Sequence, residues 1–240
     1  MKKDKSCPVK KIEKREKKHS VLWGLFVFFL LLFIDQLTKL IADVYFSAPD
    51  APKTVAIIPE WIALCITYNR GIAYGMGATT SPTLKIGVII ATAVLMTVLS
   101  IIYFKADKRR TLLKTALVFV VSGGVGNLID RVYFRVWDPS TVLGVRDMVD
   151  LSRFGFAVCN FADFFITAGA VMLVLSFLFF DKDAFFPLGR YKLLAKEAAE
   201  KEEKRYAEKQ ANKQAKKQEK AEKKQAKIDA KQAKKAAKGN

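Results

Sequence analysis

Four stretches of this chain are long and apolar enough to cross a bilayer, and nothing else in the sequence restricts the fold as strongly. A spanning helix needs about 20 mostly apolar residues. Candidate runs cover residues 21–46, 83–104, 112–132 and 158–180. In hydrocarbon every backbone N–H and C=O must be satisfied within the segment, so each run is expected to be a helix. The fold class that follows is membrane α-helical, a bundle of four transmembrane helices. The first run resembles a secretory signal, with a basic leader before it. No small-residue cleavage site follows Ile34, however, and the chain continues through Asp35 and Lys39 to Ile41, which reads as an uncleaved span.

Charge sets the organisation. The chain is 51% hydrophobic and 27% charged with a net charge of +18, and the two classes are segregated along it. Residues 1–20 carry nine Lys and Arg, residues 105–114 five and residues 181–240 nineteen, whereas 44–82 and 133–157 carry two and three. By the positive-inside rule the basic blocks face the cytoplasm, and both termini with them. Three units are expected: a basic N-terminus (1–20), a four-helix membrane domain (21–180) and a low-complexity basic tail (181–240). The tail favours helix through its Ala, Lys, Glu and Gln. It has no apolar face to bury, and it reads as a solvated, partly helical segment with some attraction for anionic headgroups or nucleic acid. Cys7, Cys65 and Cys159 show no paired spacing, and His19 is the only histidine. A disulfide framework, a histidine triad and a multi-histidine metal site are therefore not expected.

The polar residues inside the apolar runs carry the chemistry. An ionisable group in hydrocarbon costs several kcal/mol unless it faces a bundle interior or a polar cavity. At a rise of about 1.5 Å per residue, Asp35 lies roughly 21 Å along the first span, and Asn127 and Asp130 roughly 22 and 27 Å along the third. Asn160 and Asp163 open the fourth, so all converge at one depth near the outer surface. Asp35 with Lys39, and Asp130 with Arg131, read most simply as buried pairs that neutralise each other. Asp163 has no Lys or Arg within a turn. Upstream, VRDMVDLS offers Asp147 and Asp150, and Asp130 is a third candidate partner. Two carboxylates sharing a site cannot both ionise easily, so one keeps a proton while the other activates water. The rival reading is a proton-coupled transporter with Asp35, Asp130 and Asp163 as a relay, although the sequence shows one depth and no internal repeat. A plain membrane anchor would leave these residues unexplained.

In order along the chain, these residues resemble the boxes of the lipoprotein signal peptidase (signal peptidase II) family of bacterial membrane aspartyl proteases. DQLTK (35–39) resembles the first box, and NRGIAY (69–74), with Asn69, Gly71 and Ala73, the second. GGVGNLIDR (123–131) fits G-G-x-x-G-N-x-x-D-R, VRDM (145–148) resembles V-x-D-F, and NFAD (160–163) fits N-x-A-D. The resemblance implies an extracytoplasmic β cradle, here residues 44–81, and cleavage of a signal peptide before a diacylglyceryl-modified cysteine. It implies Asp147 and Asp163 as the catalytic pair, with Asp35, Lys39, Asn69, Gly71, Ala73, Asn127, Asp130, Arg131, Asn160 and Ala162 in support, and no metal or cofactor. Arg131, adjoining Asp130, argues for Asp130 as a brace, and Asp150 stands as a decoy. The expected partners are lipid-modified prolipoproteins and membrane lipids, with no specific nucleic acid, for a monomer in the bacterial plasma (inner) membrane. Met148, Tyr74 and Cys159 depart from the usual residues, the stretch from 132 to 144 is longer than usual and is expected to form an inserted hairpin or loop, and Arg70 is expected to meet lipid headgroups or to face water.

Overall fold

The computed structural model describes residues 20–71, 81–180 and 184–236, with the side chains of residues 190 and 215–236 left undescribed. Four helices have the length and composition to cross a membrane: α1 (Val21–Phe46), α2 (Pro82–Lys105), α3 (Thr111–Tyr133) and α4 (Phe161–Leu178). A fifth, α5 (Arg190–Ala236), follows them. Between these lie strands β1 (Val55–Ile58), β2 (Ile62–Asn69) and β3 (Val145–Asp150), and a single 3-10 turn over Ser152–Phe154.

Local chemistry fixes the helix ends. Ser81 caps α2, its Oγ accepting from the Leu84 N–H at 3.4 Å, with Pro82 in the first turn where its missing N–H is no loss. At the other end of α2, the buried Lys114 of α3 donates to the carbonyls of Tyr103 (2.6 Å) and Ala106 (3.3 Å) and lies 4.3 Å from the Tyr103 ring centroid. A cation thereby satisfies the negative end of the α2 dipole. α3 is the central helix, packed against α1, α2 and, most extensively, α4. The α3–α4 approach is close because both sides lack side chains there. A Cβ on Gly123 would run into the Ala162 carbonyl and lie 2.8 Å from Ile166 Cγ1, and one on Gly169 would lie 2.8 Å from the Ala116 carbonyl.

The three strands form one antiparallel sheet in the order β1-β2-β3. Its inner face packs on the C-terminal end of α1 through a core of Ala42, Met148 and Val149, joined by Phe46, Ile62 and Phe161. Glu60 turns the β1–β2 hairpin with φ +67°. The sheet differs from the expected cradle in one respect. Its third strand comes from outside residues 44–81 and contains the V-R-D box itself, paired Thr67↔Asp147, Tyr68↔Arg146 and Asn69↔Val145. Met148 is 2% exposed in the sheet core, so its departure from the usual aromatic is a matter of packing.

Two further expectations change. The fourth helix begins at Phe161 rather than Val158, because Cys159 is drawn into an antiparallel bridge with Val149. Asn160 is therefore the cap of that helix and not a residue on its face. The segment after α3 takes the loop form, as successive turns with Arg135 at φ +49° and Val136 buried. Arg70 has a role there: its Nη2 donates to the Asp138 carbonyl at 2.9 Å and ties this segment to the end of β2.

Candidate active site

β3 and the N-terminus of α4 bring Asp147 and Asp163 into the lining of one cavity of about 470 Å³, together with Asn69, Asn127, Arg131, Phe156, Val158, Phe164 and Ile166. A capping box positions Asp163. The Asn160 side-chain oxygen accepts from the Asp163 N–H at 3.2 Å, and Asp163 Oδ2 accepts from the Asn160 N–H at 3.1 Å. The same Asn160 reaches the other carboxylate, its Nδ2 donating to Asp147 Oδ1 at 2.6 Å and to Asn127 Oδ1 at 3.1 Å. Asn127 closes the ring by donating from Nδ2 to Asp163 Oδ1 at 2.8 Å. Two asparagines thus hold the two aspartates in register.

A second tier of charge lies behind this ring. Lys39, fully buried, donates to Asn127 Oδ1 (2.9 Å) and Asp35 Oδ2 (2.9 Å) and lies 3.6 Å from Asp130 Oδ2. Asp35 Oδ1 accepts from the Ala162 N–H at 2.9 Å, so a carboxylate on α1 satisfies an open donor in the first turn of α4. Gly126 makes room for it, since a Cβ there would collide with Asp35 Oδ2. Asp130 is also fully buried and is fully engaged. Arg146 grips it through Nη2 (2.8 Å), Nε (3.4 Å) and the backbone N–H (3.0 Å). Arg146 reaches Gln36 Oε1 at 3.4 Å and Asp43 at 3.9 Å as well, and Tyr68 hydrogen-bonds Asp43 through its hydroxyl.

This corrects one reading of the sequence. Asp130 is ion-paired with Arg146 and Lys39, and its neighbour Arg131 is a further electrostatic partner rather than the sole one. Successive helix residues diverge by about 100°. Arg131 turns toward the cavity, where its guanidinium interacts with Asp163, Asp147 and Asp130 and its Nη1 donates to the Asn127 carbonyl at 3.4 Å. Gly71 is buried and its N–H donates to Asn69 Oδ1 at 2.8 Å, while Ala162 is fully buried behind Asp163. Ala73 and Tyr74 lie outside the described residues. Asp150 sits at the far end of β3 and accepts from the Ser152 N–H at 2.9 Å, bonds to Ser152 that hold its carboxyl below the usual range. Arg146 was missed, although strand alternation beside Asp147 places it on the opposite face of β3, toward the bundle.

The electrostatics separate the two tiers. Asp147 is 3% exposed, and burial pushes its carboxyl up to about 7, with the nearby Asp163 adding to the shift and hydrogen bonds from Asn160 and Asn69 opposing it. Near neutral pH Asp147 is therefore poised to hold or release a proton. Burial, and then both carboxylates, push the Cys159 thiol up to about 11, which keeps it neutral and unreactive beside them. What the cavity presents is a pair of carboxylates, one of them with a raised affinity for a proton, and an adjoining guanidinium.

Residues 27–179 match the family described as signal peptidase (SPase) II. The chain belongs to the signal peptidase II family. It is 33% identical over 160 residues to the lipoprotein signal peptidase of Fusobacterium nucleatum, across 66% of this chain and 87% of that one. Against the lipoprotein signal peptidase of Staphylococcus haemolyticus it is 31% identical over 173 residues, across 70% and 97%. Its fold is similar to that of a bacterial membrane enzyme solved at 1.9 Å, with a TM-score of 0.55 and 23% identity over 68% of this chain and 97% of that one. Membership makes the chain an aspartic-type membrane peptidase, and the transporter reading is not supported.

Proposed function

We propose that the chain removes the signal peptide from diacylglyceryl-modified prolipoproteins by cutting before the lipidated cysteine, with Asp147 and Asp163 as its catalytic pair. The observation that carries this reading is the shared cavity, lined by both carboxylates, which the Asn127 and Asn160 side chains hold together with the Arg131 guanidinium adjoining. Asp147, with its raised affinity for a proton, is the acid. Asp163, whose two oxygens accept from the Asn127 side chain and the Asn160 backbone, is the base. Asp163 takes a proton from a water held between the two as it attacks the scissile carbonyl. Asp147 protonates the carbonyl oxygen, and the pair then returns a proton to the departing amine. Asn69, Asn127 and Asn160 are engaged with the aspartates and orient them, while Arg131 adjoins them at the cavity wall, placed to meet the peptide. Phe156, Val158, Phe164 and Ile166 supply an apolar wall for the substrate's lipid.

The distribution of Lys and Arg supports a bacterial plasma (inner) membrane placement with both termini in the cytoplasm. The sheet and the aspartate pair would then lie at the extracytoplasmic face, where a translocated lipoprotein precursor is anchored. Residues 21–180 form the peptidase unit and 181–240 an appended tail. One copy supplies both aspartates, so the active form is a monomer. The test is cleavage by purified protein in detergent of a precursor peptide with and without its diacylglyceryl group, with products mapped by mass spectrometry. The reading predicts a cut before cysteine in the lipidated peptide alone. Equal cleavage of both peptides would refute the substrate class, and folded protein that cuts neither would refute the reading as a whole.

A further inference from the structure

α5 is one helix with two unlike halves. Advancing about 100° per residue from Lys209, all eleven lysines from Lys209 to Lys235 occupy positions within a single arc of about 120°. The acidic positions of that stretch, Glu219, Glu222 and Asp229, fall outside it, and five glutamines share the adjoining arc. Residues 190–208 show no such order: position 202, a glutamate, falls at the centre of the same arc, and position 204, a lysine, on the opposite side. The sorting works against an isolated helix, because like charges three and four residues apart repel. A stripe of this kind, roughly 40 Å long at about 1.5 Å per residue, suits an extended array of negative charge.

Three observations identify that array as lipid. The chain holds the root of α5 at the membrane, where the connecting segment folds back on the end of α4. Phe185 N–H donates to the Phe177 carbonyl (3.1 Å), Phe186 N–H to Leu178 (2.8 Å) and Leu188 N–H to Phe179 (3.1 Å). Phe185 and Phe186 are 80% and 66% exposed there, as aromatic residues at a membrane interface commonly are. No other described helix or strand packs along α5. Beyond Arg205 and Tyr206 the sequence has no arginine for bidentate phosphate or base contacts and no aromatic for base stacking. We infer that the lysine arc of residues 209–235 is a docking face for anionic phospholipid headgroups, which lays the distal half of α5 along the bilayer from which α4 emerges.

Hydrogen–deuterium exchange tests this on the full chain in nanodiscs of phosphatidylcholine alone and of phosphatidylcholine with one-third phosphatidylglycerol. Amides of residues 209–236 should exchange about five-fold more slowly over the anionic bilayer, with most of the effect lost in about 0.5 M salt. A variant exchanging neighbours (Lys213→Gln with Gln214→Lys, and likewise at 217/218, 224/225 and 231/232) keeps composition and charge but moves four lysines off the arc. Most of the slowing should disappear in it, while peptidase activity reports an intact bundle. Equal exchange over the two bilayers, or a variant slowed as much as the parent, would overturn the inference. Slowing that requires added duplex RNA would overturn it in favour of nucleic acid.

Discussion

Asp130 and Asp147 stand close together in the same membrane protein, yet their surroundings assign them opposite work. Asp130 is closed on both sides by cations, Arg146 at 2.8 Å and Lys39 at 3.6 Å. Asp147 is buried too but meets an asparagine and another carboxylate, so its affinity for a proton is raised instead. Depth and residue type do not distinguish the two. What does is the set of partners: Asp35 and Asp130 are each ion-paired, at 2.9 and 2.8 Å, whereas the cavity pair is held by asparagine side chains and shares the guanidinium of Arg131.

The largest effect that would break this comparison is on catalysis. Asp147→Asn and Asp163→Asn should each lower cleavage by about 10⁴-fold or more, because an aspartic pair acts as a unit; single-turnover assays of the lipidated precursor measure it. A variant retaining a tenth of wild-type activity would remove that residue from the pair. Next in size is the ion-paired tier. Arg146→Met leaves Asp130 buried with its main partner gone and should destabilise the fold by about 3–5 kcal/mol. Thermal unfolding in detergent reads this, and Arg146→Lys should recover part of the loss. Gly126→Ala should cost about 1–3 kcal/mol, because the new methyl group meets the Asp35 carboxylate. Smallest is Asp150→Asn, at the far end of β3 and bonded only locally, for which a change within about 0.5 kcal/mol and near wild-type turnover are expected.

Much of this was legible in the sequence because lipid leaves so few options. The four spans could be read from length alone, and the polar residues within them had to converge. Asn160 and Asp163 three residues apart already spelled a capping box, although the start of α4 could not be fixed without knowing that Cys159 bridges to Val149. The third strand was not legible: VRDMVD is short, charged and far along the chain from β2, and its pairing depends on a long-range register. The same gap hid Arg146. Adjacency along α3 made Arg131 look like the partner of Asp130, whereas the cation that grips it comes from a strand thirteen residues beyond the helix end. Local spacing finds charges that share a face and cannot see those the tertiary fold delivers.

The central claim, that Asp147 is buried beside a second carboxylate and so has a raised affinity for a proton, makes a signed prediction about stability. A carboxyl raised to about 7 contributes stability that is present below its unfolded value and is lost as pH rises through 7. Asp147→Asn removes that titration without removing the bulk of the side chain. Thermal unfolding of wild type and Asp147→Asn at pH 5 and pH 8 should therefore show the variant gaining on wild type at the higher pH, by about a few kcal/mol at most. A variant with the same relative stability at both values would show that Asp147 carries no elevated proton affinity, and the division between the two tiers of carboxylate would fall.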